Sequence, residues 1–413
     1  MIRFIHTADI HFGMENYGRV DPGTGIHSRL LDFFNALNFC VDVALEEDVD
    51  FFLFCGDAYK TAHPSQTQQK LLFQCFLRLY KAGIPIVIII GNHDNPLTFG
   101  KAHALNLFSE IPCNGFYVFD TATRTVIETK SGPIQIVAIP WPTRATVSLA
   151  THHLAKTAHE ITHYITAAVT SIIQSYASQL DTTLPALLAG HLTVGSGIFS
   201  GSEKRAIYGT DPIFLPSQLA IYPFDYVALG HLHRHQNLNP DNFPPLVYSG
   251  SIERIDFGER NEKKGFCLVT IHKKGNTEYR FIETPIRTFI QIDVQLNTYS
   301  SQTEQIINAL QDKQLADAVL KIVYHMPLER KEIIDLNEIQ RACSAAHHIA
   351  GIIPVYHQEQ RRTRNDSSHM SGDLETVLTH YFSKKHNTDK AMELTRKALD
   401  LLATNAQENE TSN

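Results

Sequence analysis

The residues able to do chemistry in this chain sit in small polar groups placed directly after apolar runs. Asp9 and His11 follow the run Ile2–Ile5, and Asp57 follows Phe51–Cys55 and Gly56. Asn92, His93 and Asp94 follow Ile84–Ile90 and Gly91. Further on, His191 comes after Leu184–Ala189 and Gly190, and His231 and His233 come after Tyr226–Leu229 and Gly230. Carboxylates, one side-chain amide and several imidazoles in this proportion suit two divalent cations. Such cations lie about 3.5–4 Å apart and need mixed oxygen and imidazole donors, with one carboxylate touching both. The absence of a thiolate disfavours a structural zinc site and suits Mn²⁺, Fe²⁺ or a catalytic Zn²⁺. A single Gly-Asp or Gly-His pair is commonplace; its recurrence after successive apolar runs is what points to a site.

The elements that must position these residues are legible around them. Short apolar runs rich in β-branched residues read as strands buried on both faces. Between the first three lie two amphipathic helices. One carries Leu30, Phe34, Leu37, Val41 and Leu45; the other carries Leu72, Cys75, Phe76 and Leu79, with Ser65 as its N-cap and Gly83 beyond its end. Strand–helix–strand order predicts parallel pairing with right-handed crossovers. Open sheets of this kind hold ligands beyond the carboxyl ends of their strands. Asp9 and His11 are two apart, so extended backbone puts both on one side.

Residues 116–139 read as shorter strands and roughly 144–180 as a mostly helical insertion. Near residue 286 the pattern changes. Ile290, Ile292, Val294 and Leu296 alternate as on a half-exposed strand, and 286–359 reads as a small α+β unit. Residues 360–372 are polar and read as a linker. Two amphipathic helices within 373–403 follow, and the polar stretch 404–413 reads as a disordered tail.

Composition narrows the class. At 413 residues the chain expects more than one domain, and 43% hydrophobic with 19% charged content describes a protein with a sizeable core. Six scattered cysteines without CxxC spacing suit reduced core thiols in the cytoplasm. No stretch approaches the ~20 apolar residues of a membrane span, and no signal peptide is expected. A net charge of −7 argues against a generally basic nucleic-acid binder. A local basic channel, or a site made positive by its own metal ions, is compatible with it.

The ordered motifs Asp9-x-His11, Gly56-Asp57, Gly91-Asn92-His93-Asp94, Gly190-His191 and Gly230-His231-x-His233 resemble the calcineurin-like metallophosphoesterase superfamily. Ile5 to Gly13, Pro64-Ser65, Gly230 to Gln236 and Tyr248-Ser249-Gly250-Ser251 look like the SbcD-type nuclease subunits of DNA double-strand-break repair. The resemblance implies an α/β metallophosphoesterase sandwich of mixed β-sheets flanked by helices over 1–285. It further implies an α+β capping domain and C-terminal helices that dock on an SbcC-type, SMC-like ATPase. It implies Mn²⁺ as the metal, DNA as substrate, and a homodimer. One ion would be held by Asp9, His11, Asp57 and His233, the other by Asp57, Asn92, His191 and His231. His93 would serve the scissile phosphate as proton donor or charge stabiliser, and Asp94 would orient His93 or a ligand. Where many members carry a histidine three residues past the Gly-Asp aspartate, this chain has Lys60. Lysine holds phosphate as a point charge but shuttles protons poorly near neutral pH.

Other segments read in two ways. Ser196 to Arg205 is a surface loop or a substrate loop using Lys204 and Arg205. Arg361, Arg362 and Arg364 read as solvated linker, and Trp141 as packing rather than base stacking. Three functions compete: a Mn²⁺-dependent DNA nuclease with an ATPase partner, a small-substrate phosphatase or phosphodiesterase, and a DNA-tethering module with weak cleavage.

Overall fold

The computed structural model describes residues 1–95, 102–111, 114–143, 157–201, 211–328, 332–356, 374–383 and 388–410. Its strands, in chain order, are β1 (Ile2–Thr7), β2 (Phe51–Phe54), β3 (Ile86–Ile89), β4 (Phe116–Phe119), β5 (Thr123–Thr129) and β6 (Gly132–Ile139). Then come β7 (Ala186–His191), β8 (Thr193–Val194), β9 (Ile213–Phe214), β10 (Tyr226–Gly230), β11 (Gln236–Asn237) and β12 (Leu246–Tyr248). The last are β13 (Gly265–Lys273), β14 (Asn276–Glu283), β15 (Phe289–Gln295), β16 (Val319–Met326) and β17 (His348–Tyr356).

Two six-stranded sheets form the body, in the orders β14-β13-β1-β2-β3-β4 and β11-β12-β10-β7-β6-β5. The strand–helix–strand segment gives the expected parallel pairs β1–β2, β2–β3 and β3–β4. Antiparallel β13 and β14 extend one sheet, and antiparallel β5 and β11 edge the other, so both sheets are mixed.

Alternation along each strand explains the layering. Phe4, Phe51, Leu53, Val87 and Ile89 point between the sheets and meet Ile136, Leu187, Ala189 and Ala228. Their neighbours Ile5, Phe52, Phe54, Ile86 and Ile88 point outward into a core shared with the Ser28–Glu46 and Gln66–Lys81 helices. The far face of the second sheet is covered by the Ala158–Ser178 helix through Ile165, Val169 and Ile173. Strands buried on both faces require such a helix–sheet–sheet–helix stack, and the near-continuous apolar runs are its signature. The Gln66–Lys81 helix starts at Ser65 with a capping box closed by Gln68 and is followed by Gly83 at φ +74°, as expected.

β15, β16 and β17 form a separate parallel sheet with its own core, including Ile292, Ile306, Leu320, Ile322 and Ile339. Phe257, Phe289 and Val319 pack together where this unit meets the body. The helices Leu374–Ser383 and Thr388–Glu410 touch one another. The second runs past the boundary expected at 403, through part of the stretch 404–413 expected to be disordered. Polarity alone does not end a helix; Pro and Gly do, and neither occurs between Thr388 and Glu410. The expected linker 360–372, with Arg361, Arg362 and Arg364, lies outside the described residues, as do Lys204 and Arg205. Among the described residues, no helix is long and apolar enough to cross a membrane.

Candidate metal centre

The ends of β1, β2, β3, β7 and β10 converge on one edge of the sandwich. Pairing continues past the strands: Asp9 donates its N–H to the Gly56 carbonyl at 3.0 Å and His11 to that of Asp57 at 3.0 Å. Strand ends approach one another, between the two sheets at Gly230 and within one sheet at Gly91, where glycines allow it. A Cβ on Gly230 would lie 2.0 Å from the Cys55 carbonyl oxygen, and one on Gly91 would lie 2.2 Å from Asp57 Oδ1. The glycines of the Gly-Asp, Gly-Asn-His-Asp and Gly-His motifs are therefore a packing requirement of the site.

Four candidate ligands have left-handed backbone: Asp9 (φ 54°), His11 (52°), Asp57 (59°) and His231 (103°). Non-glycine residues pay about 1–2 kcal/mol in this region, and such strain gathers at functional sites. This corrects one expectation. Asp9 and His11 lie beyond β1 and are not extended; successive left-handed turns aim them, not strand alternation.

Side-chain geometry brings all seven expected ligands together. His11 Nε2 and His233 Nε2 face each other at 3.1 Å. Asp57 Oδ2 lies 3.6 Å from His11 Nε2 and 3.5 Å from His191 Nε2, so one carboxylate oxygen stands between the two halves. Asn92 Oδ1 lies 2.9 Å from His191 Nε2 and 3.2 Å from His231 Nδ1. Donor atoms of Asp9, His11 and His233 group within 4.8 Å, as do those of Asp9, Asp57 and His191.

The hydrogen bonds behind these groups test whether a cation fits. His191 Nδ1 donates to the Cys55 carbonyl at 2.7 Å, and His233 Nδ1 donates to Glu259 at 2.9 Å. A carbonyl and an ionised carboxylate can only accept, so both rings carry a proton at Nδ1 and turn Nε2 inward. Imidazole nitrogens thus face one another and carboxylate oxygens across the centre, an arrangement that a bound cation relieves. Burial pushes His231 down to about 3 and His11 well below the imidazole range, keeping both neutral and able to ligate. Burial opposes ionisation of Asp57, but His191, His11 and His93 outweigh it and hold its carboxyl below the usual range. Burial likewise disfavours charge on His191, yet the Asp57 carboxylate overrides it and lifts the ring to about 9. Positive charge is favoured at this point, whether carried by a proton or by a metal.

The three residues expected to work beside the metals sit differently. His93 is exposed; its backbone N–H donates to Asp57 Oδ1 at 2.8 Å, and its Nδ1 donates to the Lys60 carbonyl at 2.7 Å. Lys60 therefore aims His93 through its backbone, while its own side chain is solvent-exposed. Asp94 is buried and accepts from the backbone N–H groups of Asp57, Ala58 and Gly91 at 2.8, 2.9 and 3.1 Å. Of the two roles expected for it, the contacts match orienting a ligand: it clamps the turn that carries Asp57.

Sequence reasoning missed the groups that hold the histidines from behind. Glu259 belongs to no motif, and Asp211, 3.7 Å from His231 Nε2, has no local signal either. Trp141 does pack, but against the centre itself: its ring lies 4.9 Å from that of His231 and 6.0 Å from that of His191.

A double sheet with mixed carboxylate, amide and imidazole donors at its strand ends defines a dimetal hydrolase. Residues 2–235 match the family model described as calcineurin-like phosphoesterase, and the chain belongs to that family. The match ends two residues past His233, the last candidate ligand. Metal-dependent phosphoester hydrolysis follows as its general activity. Among solved structures it is similar to a dimetal phosphatase from Danio rerio, with 10% identity over 68% of this chain and 99% of that one, at a TM-score of 0.39. It is also similar to the protein TT1561 of Thermus thermophilus, with 11% identity over 68% of this chain and 98% of that one, at a TM-score of 0.36.

Proposed function

We propose that this protein is a Mn²⁺-dependent DNA nuclease subunit, acting as a homodimer with an SMC-like ATPase of the SbcC type. One observation carries the reading beyond general phosphoester hydrolysis. A full ligand set is joined to a further α+β unit and two C-terminal helices that lie beyond the family match and that small-substrate hydrolysis does not need. The SbcD-like stretches Ile5 to Gly13 and Tyr248 to Ser251 support it, since both flank the centre. Cys40, Cys55, Cys75, Cys267 and Cys343 are free and buried, which suits the reducing cytoplasm.

Asp9, His11, Asp57 and His233 would hold one ion, and Asp57, Asn92, His191 and His231 the other. When bound, the pair neutralises the anionic oxygens of the phosphodiester and makes water more acidic. The chain supplies the rest. Cys55 and Glu259 fix the proton on Nδ1 of His191 and His233, so their Nε2 atoms stay available as ligands. The Lys60 carbonyl holds His93 Nδ1–H, so that the imidazolium form of the ring would present its Nε2–H to the departing alkoxide oxygen and return to the neutral Nδ1–H tautomer. Lys60 adds a mobile positive charge at the exposed rim for the DNA backbone.

The test is cleavage of single-stranded, blunt and hairpin DNA by the Mn²⁺-loaded protein, with and without the ATPase. Degradation that stops on chelation is expected. Intact DNA together with fast turnover of a small phosphodiester would replace this reading with that of a small-substrate phosphodiesterase. Slow cleavage with tight, salt-sensitive DNA binding would favour the tethering role.

A further inference from the structure

Glu259 is fully buried, and the hydrogen bonds around it leave little freedom. Oε1 accepts from His233 Nδ1 at 2.9 Å; Oε2 accepts from the Ile255 N–H at 2.8 Å and pairs with Lys264 Nζ at 3.0 Å. Lys264, itself buried, donates to the His233 carbonyl at 3.0 Å and to Glu262 at 3.0 Å. His233 is thus gripped by ring and by backbone from one buried ion pair. Glu259 belongs to a one-turn 3₁₀ helix, Phe257–Glu259, capped by Asp256. Two residues before Glu259, Phe257 packs the other way, into the seam with the α+β unit. Its ring lies 5.0 Å from that of Phe289 and 5.1 Å from that of Tyr17, and Lys321 Nζ sits 5.6 Å from its centroid.

We propose that Glu259 is a positioning residue for the metal ligand His233, and that the Phe257–Glu259 turn couples that ligand to the seating of the α+β unit. A carboxylate behind a ligating histidine fixes its tautomer and aim, and its loss costs metal affinity although it touches no metal. Here the carboxylate and Phe257 share one 3₁₀ turn, so a backbone shift at Glu259 reaches the β15–β16 edge against which Phe257 packs. The affected half is the one holding His11 and His233; the half with Asn92, His191 and His231 has its own support from Cys55. The inference rests on the dimetal reading of the centre and holds for any phosphoester substrate.

The experiment is stepwise Mn²⁺ binding to the metal-free full-length protein, read by calorimetry at a temperature where circular dichroism shows every variant folded. His233→Ala is the reference and should remove one of two binding steps. Glu259→Ala should weaken that same step by about 10- to 100-fold and leave the other unchanged. Phe257→Ala should weaken it too, by a smaller factor, and Glu253→Gln, a buried acid touching no ligand, should weaken neither. Selective loss of one step separates positioning from general destabilisation, which would lower both. Wild-type affinity in Glu259→Ala, or equal weakening of both steps, overturns the positioning role. An unaffected isotherm in Phe257→Ala overturns the coupling. If Glu259→Ala fails to fold, Glu259→Met, which keeps the volume but removes the acceptors, carries the test under the same criteria. An unchanged isotherm in His233→Ala would instead sink the dimetal assignment itself, and this inference with it.

Discussion

Among the candidate histidines, only His93 has an exposed ring. The others are buried with ring nitrogens turned towards one another and towards Asp57 or Asn92, whereas His93 has its Nδ1 proton tied to a carbonyl and its other nitrogen facing outward. His93→Ala should therefore retain both metal ions and lose about 10²- to 10⁴-fold in turnover, the usual worth of a placed proton donor. Metal titration beside single-turnover hydrolysis checks it; loss of an ion along with activity would reassign His93 as a ligand. His6 is a residue-scale matter of another kind. It is fully buried, with Tyr226 Oη 3.1 Å from Nδ1 and the Leu229 carbonyl 3.2 Å from Nε2. The carbonyl accepts, so Nε2 holds the proton and the ring is neutral. Burial pushes it from the usual 6.5 down to about 3. The unfolded chain then binds the extra proton first as pH falls. Its contribution is fully present above pH 6.5 and is lost towards pH 3, at up to about 1.4 kcal/mol per pH unit. Urea unfolding at several pH values should show a shallower acid decline in His6→Gln than in the parent. Ligand histidines titrate alike in both proteins, so parallel curves would count against it.

At the scale of elements, the site depends on strand ends approaching closer than side chains allow. Gly91→Ala places a methyl 2.2 Å from Asp57 Oδ1 and 2.5 Å from the Asp57 nitrogen, against the carboxylate that serves both halves. Overpacking of this kind costs about 1–3 kcal/mol. The variant should fold with a lowered melting temperature and bind Mn²⁺ at least about tenfold more weakly. A binding isotherm like that of the parent would show that Asp57 tolerates the shift. The Asp94 clamp belongs to the same scale. Three backbone N–H groups converge on one carboxylate, fixing the turn between β2 and the next helix so that Asp57 stays in its left-handed conformation.

For the whole molecule, the body and the α+β unit are joined by buried charge as well as by Phe257. Asp32 accepts from Arg29 at 2.8 Å and from two nitrogens of Arg287 at 3.0 and 2.8 Å, while Arg287 also reaches Asp317. Arg29 is fully buried, so removing Asp32 leaves its charge to Glu253 at 3.5 Å, while Arg287 loses both of its contacts to Asp32. Asp32→Ala should cost about 3–5 kcal/mol. Breaking the exposed pair Lys263–Glu283 should cost at most about 1 kcal/mol. Chemical denaturation of the two variants decides this, and equal losses would show that the junction does not rely on the Asp32 cluster.

What could be read directly from the chain was the order of the motifs and the apolar runs ahead of them, because strands buried on both faces and glycine-spaced polar ends leave local marks. Asp9, His11, Asp57, Asn92, His191, His231 and His233 were each legible for that reason, and so were the Ser65 cap and Gly83. Tertiary structure alone decided how they converge. Left-handed backbone at Asp9, His11, Asp57 and His231 follows from loops wedged between two sheets, which no local periodicity encodes. Glu259 behind His233, Cys55 behind His191, the Lys60 carbonyl behind His93 and Trp141 against His231 come from segments 26 to 136 residues away in the chain. Sequence names a donor by its type. The tautomer and aim of that donor are set by whatever the fold places behind it, and those partners are long-range contacts with no signature of their own.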